Sequence, residues 1–190
     1  TAADYEAGKA SYEISVCAVD ASGESLYSDT LIVKGEMDKI LDYDSGVLTW
    51  NPVLGVEKYE VQLNDGEATL TNTASANITF TQKGENKLKV RVYGATGEDA
   101  TWLELNVTTY AVGYNVGASE KKIENKYIAK GDVISLPNTD FNGYVFSGWY
   151  TETNGGGKKI AAAYGVSPRL NDEGDLTLYA KWESKQYRVA

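Results

Sequence analysis

Histidine is absent from this 190-residue chain and cysteine occurs once. The first gap, with only one thiol beside it, removes the usual imidazole and thiolate metal clusters. The second excludes an internal disulfide, so the fold must be held by hydrophobic cores alone. No His is present to activate Cys17, and a lone thiol on a strand reads as a passive small residue. No apolar run approaches the roughly 20 residues that cross a bilayer, so membrane insertion is not expected. No signal peptide or anchoring segment stands in the sequence, which therefore reads as an excerpt of a longer protein. Positive charge is scarce, with 18 Lys and Arg against 27 Asp and Glu and a net charge of -9. An acidic surface repels phosphate backbones, and nucleic-acid binding is excluded on that ground. The avoidance of cysteine fits a bacterial exported protein.

Aromatics are plentiful, with 14 Tyr and 4 Trp, and segments rich in Thr and Val favour pleated, half-buried surfaces. Strict alternation is the main local signal. In Lys87-Leu88-Lys89-Val90-Arg91-Val92-Tyr93 every second residue is apolar, which puts Leu88, Val90 and Val92 on a core face. The same period recurs in Tyr59, Val61 and Leu63, in Ile78 and Phe80, and in Leu103, Leu105 and Val107. Turn chemistry separates these runs at Asp44-Ser45-Gly46, Asn64-Asp65-Gly66, Lys83-Gly84-Glu85 and Thr96-Gly97-Glu98. Short strands at this spacing predict an antiparallel sandwich. Residues 1–35 show the same grammar: Tyr12, Ile14, Val16 and Ala18 alternate with Glu13, Ser15, Cys17 and Val19, a phase that turns Cys17 away from the core.

From Tyr110 the texture changes. Tyr110, Val112 and Tyr114 alternate, and Tyr127-Ile128 leads through Gly131 to Val133, Ile134 and Leu136. Then follow Gly143-Tyr144-Val145-Phe146-Ser147-Gly148-Trp149-Tyr150, a loop through Gly155, Gly156 and Gly157, and Leu176-Thr177-Leu178-Tyr179-Ala180-Lys181-Trp182. The alanines within residues 159–165 predict one short helical turn.

Two resemblances attach to these residues. Leu48-Thr49-Trp50, Asn51-Pro52-Val53 and Gly55 before Tyr59-Glu60-Val61 make residues 36–108 resemble a fibronectin type III-like domain. Residues 1–35, through Tyr12-Glu13-Ile14-Ser15-Val16-Cys17-Ala18-Val19-Asp20, resemble the C-terminal strands of a preceding module of that type. Residues 109–184 resemble the internalin B-type, or Listeria–Bacteroides, repeat. The carriers are Tyr110-x-Val112-x-Tyr114, Gly131 before Pro137, Gly143-Tyr144-x-Phe146-x-Gly148-Trp149-Tyr150, and the run from Leu176 to Trp182. Val116-Gly117-Ala118 stands where that family usually has an Asn-Gly-Gly turn. Residues 185–190, with Gln186-Tyr187-Arg188-Val189, look like the start of a further copy or a tail. The resemblances imply a mainly β chain: a fibronectin type III-like antiparallel β-sandwich followed by a small β-grasp-like module, of a kind found in tandem on bacterial cell surfaces.

No catalytic, cofactor or metal constellation stands out. Asn171-Asp172-Glu173-Gly174-Asp175 gathers oxygen ligands but lacks EF-hand spacing and reads as a solvated turn, as do Asp38, Asp42 and Asp44. Gly155-Gly156-Gly157-Lys158-Lys159 lacks the strand-to-helix setting and the Ser or Thr of a phosphate loop, and reads as a hairpin tip. Asn77-Ile78-Thr79 and Asn106-Val107-Thr108 match a glycosylation sequon of the kind that arises by chance. No pair of carboxylates can be singled out for glycoside hydrolysis. Trp149, Tyr150, Tyr144 and Trp182 would suit a sugar-stacking platform, but Trp50, Trp149 and Trp182 read as core residues. Trp102, whose phase opposes Leu103, Leu105 and Val107, is the candidate ligand-binding residue. The expected role is a non-catalytic structural and adhesive stalk of a secreted, extracellular or cell-wall protein, with a host or neighbouring-cell protein or glycan as partner. The alternative is an accessory, glycan-binding region of a secreted carbohydrate-active enzyme, and a third reading is peptide capture at a sheet edge. Nothing in the pattern favours one oligomeric state.

Overall fold

The computed structural model describes residues 11–17, 19–20, 23–24, 31–34, 40–53, 55–94, 101–162 and 166–186. Regular structure among them is strand throughout, apart from a 3-10 turn at Thr153–Gly155, so the chain is mainly β and sandwich-like. The expected turn at Thr96-Gly97-Glu98, Asp38 and the final residues 187–190 lie outside the described residues.

Near the N-terminus, β1 (Ser11–Ile14) pairs antiparallel with β4 (Leu31–Lys34), and β2 (Val19–Asp20) with β3 (Gly23–Glu24). The phase predicted for residue 17 is reversed: Cys17 is buried, while Val16 is 59% exposed. The physical reason is that β1 ends at Ile14, so the two-residue period no longer governs residues 15–17.

The chain divides into two compact units. Unit 1 comprises Thr1–Asp42, Leu48–Ala76 and Leu88–Leu105. In it β7 (Tyr59–Leu63) pairs antiparallel with β8 (Thr69–Thr71) on one side and with β10 (Gly84–Val92) on the other. The predicted alternation holds: Tyr59, Val61, Leu88, Val90 and Val92 are buried on one face. Leu48 and Trp50, from β6 (Val47–Trp50), which pairs with β9 (Ser75–Asn77), are buried as well. Trp50 meets the Tyr59 ring edge-on at 5.3 Å, and the Val53 N–H donates to the Tyr59 hydroxyl at 2.8 Å. Asn64, at φ 53, opens the turn between β7 and β8, with the Gly66 N–H donating to the Leu63 carbonyl at 3.1 Å.

Unit 2 comprises Tyr43–Val47, Asn77–Lys87 and Asn106–Ala190. Its framework is β11 (Leu103–Asn115), β12 (Lys126–Ala129), β13 (Tyr144–Tyr150), β14 (Lys159–Ile160) and β15 (Leu176–Ser184). β15 lies between β11, to which it is parallel, and β13, to which it is antiparallel; β12 and β14 pair antiparallel with β11 and β13. Val112, Val116, Ile134, Trp149, Leu170 and Leu178 form the core. Trp149 is held in place by its indole N–H, which donates to the Pro137 carbonyl at 2.8 Å. The helical turn expected in residues 159–165 gives way at its start to β14, where Ile160 opposes Trp149 and packs on the core. That burial outweighs the alanines' helix propensity; residues 163–165 lie outside the described residues.

Two upstream segments complete this unit. β5 (Leu41–Asp44) and β6 are joined through Ser45 and Gly46, both at positive φ (53° and 88°), the requirement of a primed two-residue hairpin turn. The Tyr43 hydroxyl donates to the buried Asp132 carboxylate at 2.7 Å, whose same oxygen accepts the Ala129 N–H at 2.8 Å. Burial first, then the bond to Asp132, push the Tyr43 phenol far above its ordinary pKa. Arg169 bonds both Ser45 Oγ and the Gly131 carbonyl. Phe80 forms a bridge with Tyr127, and Thr109 Oγ1 donates to the Gln82 carbonyl at 2.8 Å while accepting from Asn86 at 3.0 Å.

Two stability measurements check this account. Trp149→Ala should lower unfolding free energy in denaturant by about 3–5 kcal/mol, the usual cost of truncating a buried Trp. Tyr43→Phe removes one donor from a buried carboxylate and should cost about 1–3 kcal/mol in the same assay.

Candidate functional site

Trp102 precedes β11 and is half-buried, as are Leu103 and Leu105. Its ring is not open on both faces: the Arg91 guanidinium sits 4.3 Å from the ring centroid. Arg91 is itself fixed by an ion pair with Glu60 from the neighbouring strand β7. A cation over indole is a favourable contact in its own right, and it occupies a face that a stacking sugar ring would use.

Trp182 departs from the core reading. It is half-buried and stands outside the core cluster of unit 2. The reason lies in β15: Leu178 and Ala180 turn towards the core, while the strand's end carries Trp182 towards the rim. Its indole N–H donates to the Val116 carbonyl at 3.0 Å, and its ring meets Phe141 at 5.7 Å and Phe146 at 5.4 Å. Beside it, Phe141 and Tyr144 stack nearly parallel, 4.6 Å apart with 11° between planes. The sequence reading named Tyr144 but missed Phe141. The signal was there in Phe141-Asn142-Gly143-Tyr144: the Tyr144 N–H donates to the Phe141 carbonyl at 3.1 Å and Gly143 takes φ 81°, a turn that sets its first and fourth side chains together.

The rings of Phe141, Tyr144 and Trp182 border a cavity of about 370 Å³, lined also by Asn115, Thr153, Asn154 and Lys181. Its lip is the turn after β11. Asn115 Oδ1 accepts the Gly117 N–H at 2.9 Å and Gly117 takes φ 64°, so Asn115-Val116-Gly117 makes a turn despite the departure from Asn-Gly-Gly. The glycine loop is the tip of the β13–β14 hairpin. A Cβ at Gly155 would lie 2.6 Å from the Lys181 side chain, so the glycine makes room for that stem. The Lys159 and Lys181 ammonium groups both stand 5.8 Å from the Tyr150 ring centre.

The acidic turn holds structure together locally. Asp175 accepts the Ala111 N–H at 2.9 Å and the Lys83 ammonium at 2.9 Å, and these bonds, in that order, draw its pKa below the ordinary carboxylate value. Lys83 is correspondingly raised by the bond to Asp175. Glu173 pairs with Lys130 at 3.7 Å. Among the described residues no group of three or more acidic or thiol side chains could hold a metal ion, and no helix is long and apolar enough to cross a membrane.

Residues 110–181 match the family model of the Listeria-Bacteroides repeat domain, a repeat found in surface and secreted bacterial proteins. This agrees with the resemblance read at residues 109–184. No curated protein matches the chain.

A depressed Asp175 binds its proton less readily when folded than when unfolded, so its contribution is present above the unfolded carboxylate pKa and lost as pH falls through the folded one. Thermal melting of the wild type should therefore drop as pH falls below about 4. Asp175→Asn should melt lower at neutral pH and show a shallower pH dependence.

Proposed function

We propose that the chain is a non-catalytic stalk segment of a bacterial surface or secreted protein, built to transmit tension between what lies on either side of it. The carrying observation is the parallel register of the repeat's first and last strands, with Val112 opposite Leu176, Gly113 opposite Thr177, Tyr114 opposite Leu178 and Asn115 opposite Tyr179. The chain runs into the repeat along β11 and out of it along β15. A pull on the two ends drags neighbouring parallel strands in opposite directions, so their hydrogen bonds are loaded together in shear. A hairpin pulled at its two ends would instead open one bond at a time. The match to a surface repeat supports the same reading, as does the acidic, His-free composition. On this reading residues 36–108 form a fibronectin type III-like module and residues 1–35 the end of another; Trp50 buried against Tyr59 supports that assignment.

Single-molecule pulling tests it. Forced unfolding is governed by the unfolding barrier, so handles at residues 106 and 186 should require a several-fold higher force than handles at residues 142 and 186, which lie at one end of the antiparallel β13–β15 pair, where the Lys185 N–H donates to the Gly143 carbonyl, and peel it open. Equal forces in the two directions would remove the mechanical argument for a stalk. Specific turnover of a polysaccharide by the chain would remove its non-catalytic part.

A further inference from the structure

The cavity beside Trp182 has features that the stalk reading does not require. Phe141, Tyr144 and Trp182 all stand outside the core cluster, and Tyr144 remains 39% exposed. Three rings that do little for the core are nevertheless held in fixed relation. Phe141 stacks on Tyr144 at 4.6 Å, Trp182 meets Phe141 at 5.7 Å, and the Trp182 indole N–H is tied to the Val116 carbonyl. Gly117 and Ala118 also line the cavity, residues small enough to leave the space open. Residues with polar side chains line it from separate elements: Asn115 at the end of β11, Thr153 and Asn154 at the β13–β14 tip, and Lys181 on β15, whose ammonium pairs with Glu183 at 3.6 Å. No Asp or Glu lines the cavity, although the protein carries a net charge of -9.

We propose that this cavity is a saccharide-binding site. A pyranose presents a face of C–H bonds that packs on aromatic rings and a rim of hydroxyls that seeks amide, hydroxyl and ammonium partners. The cavity offers both in one place, and the absence of carboxylates spares a neutral or acidic sugar from repulsion. An extended hydrocarbon would leave the amides unpaired, and a cationic peptide would meet Lys181 with no acidic partner in the lining. The proposal is separate from the mechanical reading: a chain that resists shear and binds no sugar leaves the stalk standing, and a chain that binds sugar but yields easily leaves this site standing.

The whole chain would be applied to an array of host, plant and bacterial-wall glycans. In parallel, its tryptophan fluorescence would be titrated with chitobiose, cellobiose and a digalacturonate. A saturable response to at least one glycan is expected. It should weaken about tenfold or more in Tyr144→Ala and Phe141→Ala, in line with loss of ring packing, and persist in Trp102→Ala. Ala118→Trp fills the cavity from an exposed turn without touching the core. It should abolish binding while melting like the wild type, which covers the case in which a ring truncation disturbs folding. A blank array together with flat titrations would overturn the proposal. So would binding that survives Ala118→Trp, or that disappears in Trp102→Ala.

Discussion

In unit 2 the pairing of β11 with β15 sets almost everything else. β11 runs from Leu103 to Asn115, and its register with β15 brings Val112 and Leu178 into the same core. Parallel neighbours cannot be joined by a tight turn, so a long crossover must return the chain to the start of β15. That crossover supplies β12, β13 and β14, and with them Trp149 and the aromatic cavity wall. A slip of one residue between β11 and β15 would turn Val112 or Leu178 to the opposite face and empty the core around Trp149. The polar ties at Asp175 and Trp182 reinforce that register from both ends, through the Ala111 N–H and the Val116 carbonyl.

Much of this was legible in the sequence because it depends on period and turn chemistry alone. Leu88, Val90 and Val92 alternate with charged residues, and burial follows the alternation. Ser45-Gly46 and Asn64-Asp65-Gly66 fall at turns, with Ser45, Gly46 and Asn64 at positive φ. The repeat was readable for another reason: its aromatics and glycines recur in a fixed order, and the match at residues 110–181 agrees with it. Cys17 was misread because alternation was carried past the end of a strand. The start of the alanine stretch was misread because local propensity ignores that Ile160 has Trp149 as a cross-strand neighbour.

The candidate site was legible only in part. Composition pointed to aromatics, but two of the decisive facts are long-range. Arg91 reaches the Trp102 ring from a different strand. Trp182 is kept at the rim by a bond to Val116, 66 residues away. A single sequence carries no direct signal for either contact. The Phe141–Tyr144 stack is the exception, since it follows from a four-residue turn and could have been read locally.

The bond between Tyr43 and Asp132 joins residues 89 positions apart, one of them outside the segment that matches the repeat family. Asp132 has a second buried oxygen without a protein partner among the described residues. The unit that folds and the unit that is recognised as a repeat therefore have different edges. For an array that grows by duplication, this sets a rule of inheritance. A new copy made from residues 110–181 alone carries the acceptor without its donor, and is completed only when whatever precedes it again presents a hydroxyl at the tip of a hairpin.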